Sequence, residues 1–342
     1  MKAVVFERCG GPEVLELREV PDPRPRADEV LVQVKACGIN HLDLWVRAGL
    51  RGLELEMPHI LGSDVVGVAL EVGAAVRHVK AGERVLVCPT LSCGACPQCH
   101  AGDDNLCRQY DLLGRRRNGG YAERVAVPAV NCLPYPGDLA WSEAAAVPLV
   151  FLTAWHMLVG RAALRPGEDC LVIGGGSGVG SAAVQIARLL GARVIATAGS
   201  AAKLERLRAL GANEVVNHAT DDIAARARAL TASKGVEVVF EHVGGPVFER
   251  AVGALARGGR LVTCGATAGG KVGLDLNQLF GRHLTLLGSW MGRRSELVEV
   301  LRFIANGRLK PVVDVVMPLA EARRAHQRIE AREHFGKVVL TP

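Results

Sequence analysis

The sequence predicts an α/β protein built from a doubly wound parallel sheet and a second, mostly antiparallel β domain. Three observations carry that prediction. The chain has 342 residues, enough for about two domains of roughly 150 residues each. Up to about residue 145 it reads as short strands broken by glycine and proline. From about residue 165 strand-like and helical runs alternate, the rhythm of a parallel sheet with right-handed crossovers and both faces covered.

The elements follow in order. Residues 29–35 alternate, with Val30, Val32 and Val34 on one face and Leu31, Gln33 and Lys35 on the other, as a half-buried strand does. Residues 2–6, 14–19, 67–72, 84–87 and 121–127 read as further strands, punctuated by Pro21, Pro23, Pro25, Gly73, Gly82, Gly119 and Gly120. Six strands follow, at 170–173, 194–196, 214–216, 236–240, 261–264 and 284–287. Between most of them lie helical patterns at 179–190, 203–210, 223–230 and 247–255. Six is the strand count of a complete dinucleotide-binding (Rossmann) sheet. The tail, with helices at 296–304 and 320–329 and strands at 312–316 and 337–340, reads as returning to the first domain. The expected division is 1–148 with 292–342, and 149–291.

Hydrophobic residues make up 49% and charged residues 22% of the chain, which excludes a disordered or fibrous protein. A net charge of +6 and 4% aromatic residues supply neither a basic groove nor base-stacking platforms, so no nucleic-acid partner is expected. The first eleven residues mix acid and base and do not form a secretory signal. The uncharged run 144–160 contains Pro148, Thr153 and His156 and is read as falling short of a membrane span. The expectation is a cytoplasmic protein with no membrane partner. Ten cysteines then argue for reduced thiols or metal ligands before disulfides.

Gly174, Gly175, Gly176, Ser177, Gly178, Val179 and Gly180 form a glycine-rich turn between a strand and a helix. A helix N-terminus free of side chains is what a pyrophosphate requires. The turn departs from a strict G-x-G-x-x-G because Ser177 holds the middle position. The acid that would accept ribose hydroxyls of NAD is replaced by Ala198, with Ser200 and Lys203 following. Two donors and no carboxylate favour a 2′-phosphate, so NADPH is expected, with NADH possible.

Cys93, Cys96, Cys99 and Cys107 are spaced C-x2-C-x2-C-x7-C. Four thiolates fill a tetrahedral zinc and leave no open position. One structural zinc per chain is expected, in a lobe at about residues 88–110.

These features, in this order along the whole chain, resemble the zinc-type alcohol dehydrogenases of the medium-chain dehydrogenase/reductase superfamily. Within that superfamily the chain resembles the quinone oxidoreductase-like branch. Matching phrases run Gly38-Ile39-Asn40-His41-Leu42-Asp43, Leu61-Gly62-Ser63-Asp64-Val65-Val66-Gly67 and Pro148-Leu149-Val150-Phe151-Leu152-Thr153-Ala154. The resemblance implies a GroES-like catalytic domain beside the nucleotide-binding one. Where zinc-dependent members carry a ligand cysteine this chain has Asn40; their ligand histidine is Ser63, with Asp64 beside it in place of glutamate. The third ligand falls near Val150 and Phe151, and the proton-relay positions are Leu42 and Trp45. A catalytic zinc needs three protein ligands, and these positions supply none.

The expected activity is therefore hydride transfer from NAD(P)H to a quinone, enone or enoyl-type acceptor without catalytic zinc. Such an acceptor delocalises charge to an oxygen that hydrogen bonds can hold. Asn40 is the candidate for that bond, Thr153 matches a residue beside the nicotinamide, and Asp43 and Asp64 are expected to hold the site together. His41 is a candidate phosphate contact. Val243, Gly265, Gly288 and Ser289, at strand ends, are candidate nicotinamide contacts. The partners expected are a small-molecule substrate and further copies of the chain, as a homodimer or homotetramer through residues 284–287. Two alternatives stay open: an alcohol dehydrogenase with a rearranged zinc at Cys37, His41, His59 or Asp64, and a nucleotide-binding regulator without turnover.

Overall fold

A computed structural model describes residues 1–342. The chain divides into two units, one of Met1–Leu149, Arg293–Gly307 and Pro311–Pro342, the other of Val150–Gly292 and Arg308–Lys310.

The first unit is built on the strand Glu29–Gly38, which pairs antiparallel with Asp64–Val72 and Arg124–Pro128 along its length. The tail reaches the far end of that strand, where Val339 and Leu340 of Lys337–Thr341 lie opposite Gly38 and Cys37. This pairing sets Lys337 beside the start of the helix His41–Ala48. The core is apolar and β-branched, with Val4, Val30, Val32, Val65 and Leu340 almost fully buried. Two strand expectations shift. Within 14–19 only Glu16–Glu19 is strand, because Pro12 opens a 3-10 turn, Pro12–Val14. Tyr121 precedes the strand Arg124–Pro128; Gly119 and Gly120 hydrogen-bond back to Ile60 and Gly62 instead.

The second unit holds six parallel strands in spatial order 3-2-1-4-5-6, the doubly wound dinucleotide-binding order. Its first strand is Asp169–Val172 and its edge strand Thr285–Gly288. The fifth begins earlier than its apolar pattern implies, at Leu255, because Gly258 and Gly259 form a bulge in the ladder instead of a turn. The alternating apolar runs thus give parallel strands and covering helices, and the α/β class holds.

One sequence expectation needs correction. The helical run Trp141–Arg161, 21 residues, is long and apolar enough to cross a membrane by length and composition, and does not fall short. Its apolar window is 78% buried inside the fold, which is how a core helix is packed.

Candidate functional site

In the first unit a polar cluster forms where the strand Glu29–Gly38 runs into the helix His41–Ala48. Asn40 caps that helix. Asp43, three residues on, accepts the Asn40 backbone N–H at 2.7 Å with Oδ2 and the Gly62 N–H at 3.1 Å with Oδ1. Gly62 sits at φ +106°, and a Cβ there would lie 2.6 Å from the Tyr121 ring. Only glycine permits this approach. Asp64 is fully buried; its Oδ2 accepts from Asn40 Nδ2 and from Lys337 Nζ, both at 2.9 Å, and its Oδ1 accepts the Leu149 N–H at 2.8 Å.

Lys337 completes the cluster, and sequence reasoning missed it. Its side chain is 3% exposed and Nζ makes three bonds, to Ile39 O (2.6 Å), Asn40 Oδ1 (2.5 Å) and Asp64 Oδ2 (2.9 Å). A buried ammonium persists only when so paired. Asn40 is therefore engaged at both ends of its amide. One N–H is committed to Asp64; the other has only a 3.5 Å contact with Gly38 O, weak by hydrogen-bond standards.

Beneath Asp43 lie Tyr121, His326 and Arg47, all buried and none a sequence candidate. Tyr121 OH stands 3.3 Å from Asp43 Oδ2 and 3.1 Å from His326 Nε2, and Arg47 Nη1 lies 3.0 Å from His326 Nδ1. Burial pushes Asp43 up to about 6, against the opposing pull of the Asn40 N–H and Lys337. Burial, with Arg47 adding to it, pushes His326 down to about 3.

The other predicted ligands of a rearranged metal site do not converge. His59 is buried and bonds Gly114 O at 3.1 Å, edge-on to Phe6. Cys37 is buried, which pushes its thiol well up. His41 lies edge-on to Trp45, and Ser63 Oγ donates to Leu113 O at 2.7 Å.

In the second unit the glycine turn is shaped by close approach. A Cβ on Gly180 would fall 2.3 Å from Gly174 O and 2.8 Å from Gly175 Cα. Ser177 caps the helix Gly178–Leu189, its Oγ accepting the Gly180 N–H at 2.9 Å, and it pairs with His242 Nε2 at 3.3 Å. The Gly178 and Val179 N–H groups at the helix start have no partner in the chain, which is the donor set a phosphate takes. Ser200 caps the next helix, Ala201–Leu210, through the Lys203 N–H, and its own hydroxyl hydrogen stays available to an acceptor. His218, a residue no sequence signal marked, is 3.0 Å from where a Gly199 Cβ would stand.

Buried Glu241, also missed, ties down the loop after its strand. Its Oε1 accepts the Val243 and Gly244 N–H groups at 2.5 and 2.7 Å, and its Oε2 accepts from Thr263 Oγ1 at 2.7 Å. Gly265 packs against His242 O, leaving no room for a side chain. Gly288 ends the edge strand and Ser289 follows it, its Oγ buried and without a partner. Thr153 is buried and donates to Met291 Sδ at 3.4 Å. Orphaned donors, a turn no side chain can enter and a pinned loop fit a dinucleotide.

The four cysteines converge as their spacing implies. Their sulfurs all lie within 4.8 Å of one another, with pairs at 3.5, 3.5 and 3.9 Å. A zinc with four sulfurs at 2.3 Å has S–S edges of about 3.8 Å, so the ligand set is already near size. Backbone N–H groups of Cys93 and Gln109 point at Cys107 Sγ, and the Ala95 N–H, with the Cys107 thiol and the Cys96 N–H adding to it, holds the Cys93 thiol below the usual thiol range. Donors aimed at sulfur favour the thiolates that bind metal. These four are the one group of three or more such ligands in the chain.

Comparisons with known proteins agree with this construction. The alcohol dehydrogenase GroES-like domain family matches residues 26–137, and the zinc-binding dehydrogenase family residues 178–306. The chain is 34% identical to an alcohol dehydrogenase of Geobacillus stearothermophilus and 32% identical to quinone oxidoreductase 1 of Escherichia coli (strain K12), over 99% of each chain in both cases. A crystal structure described as an NAD-dependent alcohol dehydrogenase superposes with a TM-score of 0.97 at 48% identity, covering 100% of both chains. With both domain families matched in order and relatives aligned from end to end, the chain belongs to the zinc-type medium-chain dehydrogenase/reductase superfamily of NAD(P)-dependent oxidoreductases.

Proposed function

We propose that this oxidoreductase is an NADPH-dependent reductase of conjugated acceptors, such as quinones, enones or enoyl thioesters, whose only zinc is structural. The observation that carries the reading is the Lys337–Asn40–Asp64 cluster. Where zinc-dependent relatives place a ligand cysteine and, beside their ligand histidine, a glutamate, this chain places an amide and a carboxylate already satisfied by a buried ammonium. Ser63, Val150 and Phe151 hold the other two ligand positions, and none is a metal ligand of the usual kind.

NADPH supplies a hydride when bound. The chain's own residues then have to hold the oxygen to which charge moves. The second Asn40 N–H, held only by its long contact to Gly38 O, is the donor a substrate oxygen can take. Lys337 bonded to Asn40 Oδ1 polarises the amide and strengthens that donor. Asp43 and Asp64 are positioning residues, since their oxygens already accept N–H groups. Gly178 and Val179 would take the pyrophosphate, and Ser200, Lys203 and His218 the 2′-phosphate. Four thiolates fit the reducing cytoplasm.

The test follows NADPH oxidation with a panel of quinones, enones, enoyl thioesters and aldehydes. Turnover with the conjugated acceptors and none with simple aldehydes is expected. Preference for simple aldehydes or alcohols would favour a zinc alcohol dehydrogenase, and binding without turnover a regulator.

A further inference from the structure

The side-chain series Glu330–Arg47–His326–Tyr121–Asp43, buried from Arg47 inward, has one possible direction. Arginine only donates, so Arg47 Nη1, 3.0 Å from His326 Nδ1, must give its hydrogen to an unprotonated Nδ1. The His326 proton then sits on Nε2 and is donated to Tyr121 O at 3.1 Å. Tyr121 O–H is left to donate to Asp43 Oδ2 at 3.3 Å. The Tyr121 and His326 rings meet edge to face, 5.8 Å between centroids at 85°, which fixes both. Arg47 is held at its other nitrogens by Gly10 O (3.1 Å) and Glu330. Arg47, Tyr121 and His326 are all 2% exposed or less, and nothing in the fold or the proposed chemistry otherwise requires four polar side chains here.

We infer that Arg47, His326 and Tyr121 form a one-way hydrogen-bond chain that orients Asp43 as acceptor for the Asn40 and Gly62 N–H groups, making them positioning residues for Asn40. Arginine does not release its proton, so the chain transmits polarity and no proton crosses it. Asp43 meets charged or titratable groups on every side: Lys337 and Asp64, Cys37, and Tyr121 with His326 and Arg47 behind it. The Tyr121 hydroxyl is the donor added from below. The inference rests on the proposed role of Asn40 only for its activity readout.

The test is NMR on the zinc-loaded full chain labelled at the aspartate carboxyl carbon, with Asp43→Asn assigning the signal. Tyr121→Phe should raise the Asp43 midpoint by about one pH unit, the worth of a hydrogen bond to a charged group. His326→Gln, whose amide can accept from Arg47 and donate to Tyr121, should keep the midpoint and kcat, whereas His326→Leu should raise the one and lower the other. An Asp43 midpoint unmoved in folded Tyr121→Phe, or Gln and Leu behaving alike at 326, overturns the inference. Should the variants not fold, imidazole nitrogen shifts of the unaltered protein decide: a neutral Nε2–H form from pH 8 to 5 is expected, and the Nδ1–H form or protonation near 6.5 overturns it. These readouts need no turnover, so a chain without reductase activity would still answer the question.

Discussion

Replacing Lys337 by methionine probes the polar cluster most sharply. Methionine fills similar space and adapts to irregular gaps, so a cavity contributes little and the loss is electrostatic. The three bonds of Nζ disappear, and Asp64, with no solvent contact, keeps only the Asn40 and Leu149 donors. Removing one partner of a buried ion pair costs about 3–5 kcal/mol. At roughly 2–4 °C per kcal/mol for a domain of this size, the first unit should melt about 10 °C lower. Urea unfolding followed by fluorescence measures the loss directly. Lys337→Met with Asp64→Asn removes both charges and should regain about half of it or more. A single-variant loss under about 1 kcal/mol, or a double variant as unstable as the sum of the singles, would refute the buried pair as the cluster's anchor.

Three further outcomes follow from the geometry. Lys203→Ala should raise the KM for NADPH about tenfold while leaving that for NADH nearly unchanged; equal effects on both would remove Lys203 from the 2′-phosphate. Gly180→Ala puts a Cβ 2.3 Å from Gly174 O, and should cost about 1–3 kcal/mol of stability together with weaker cofactor binding by fluorescence titration. His326 is depressed from 6.5 to about 3, so between those values the unfolded chain binds the proton and the native one does not. Its contribution is complete above pH 6.5 and is lost as pH falls toward 3, at about 1.4 kcal/mol per unit. From pH 7 to 5 the protein should lose about 2 kcal/mol through this group, and His326→Gln should lose that much less; identical urea midpoint shifts in both proteins would contradict it.

Much of the architecture is legible in the residues themselves because its signals are local. Alternation in residues 29–35, apolar runs between helices, the glycine turn and the C-x2-C-x2-C-x7-C spacing each lie within a few turns of chain. The cluster around Asn40 is not local. Lys337 and Asp64 are 273 residues apart, and nothing in the phrase Gly336-Lys337-Val338 distinguishes a buried ammonium from a solvated one. Only the tail strand's pairing opposite Gly38 brings it in. Tyr121 falls in the expected strand 121–127 and His326 in the expected helix 320–329, and nothing local marks either one for a polar role. Both are core residues, and their hydroxyl and imidazole matter because burial denies them water. That one Asn40 N–H is already taken is hidden for the same reason: Asp64 and Lys337 come from other strands.

Zinc content of the Cys96→Ser variant tests the central claim, that metal in this chain serves the cysteine lobe alone. The unaltered protein should carry about one zinc per chain. The variant should carry none and still oxidise NADPH with a conjugated acceptor at a temperature where it stays folded. A variant that keeps one equivalent of zinc, and loses its activity when a chelator removes it, would contradict the account.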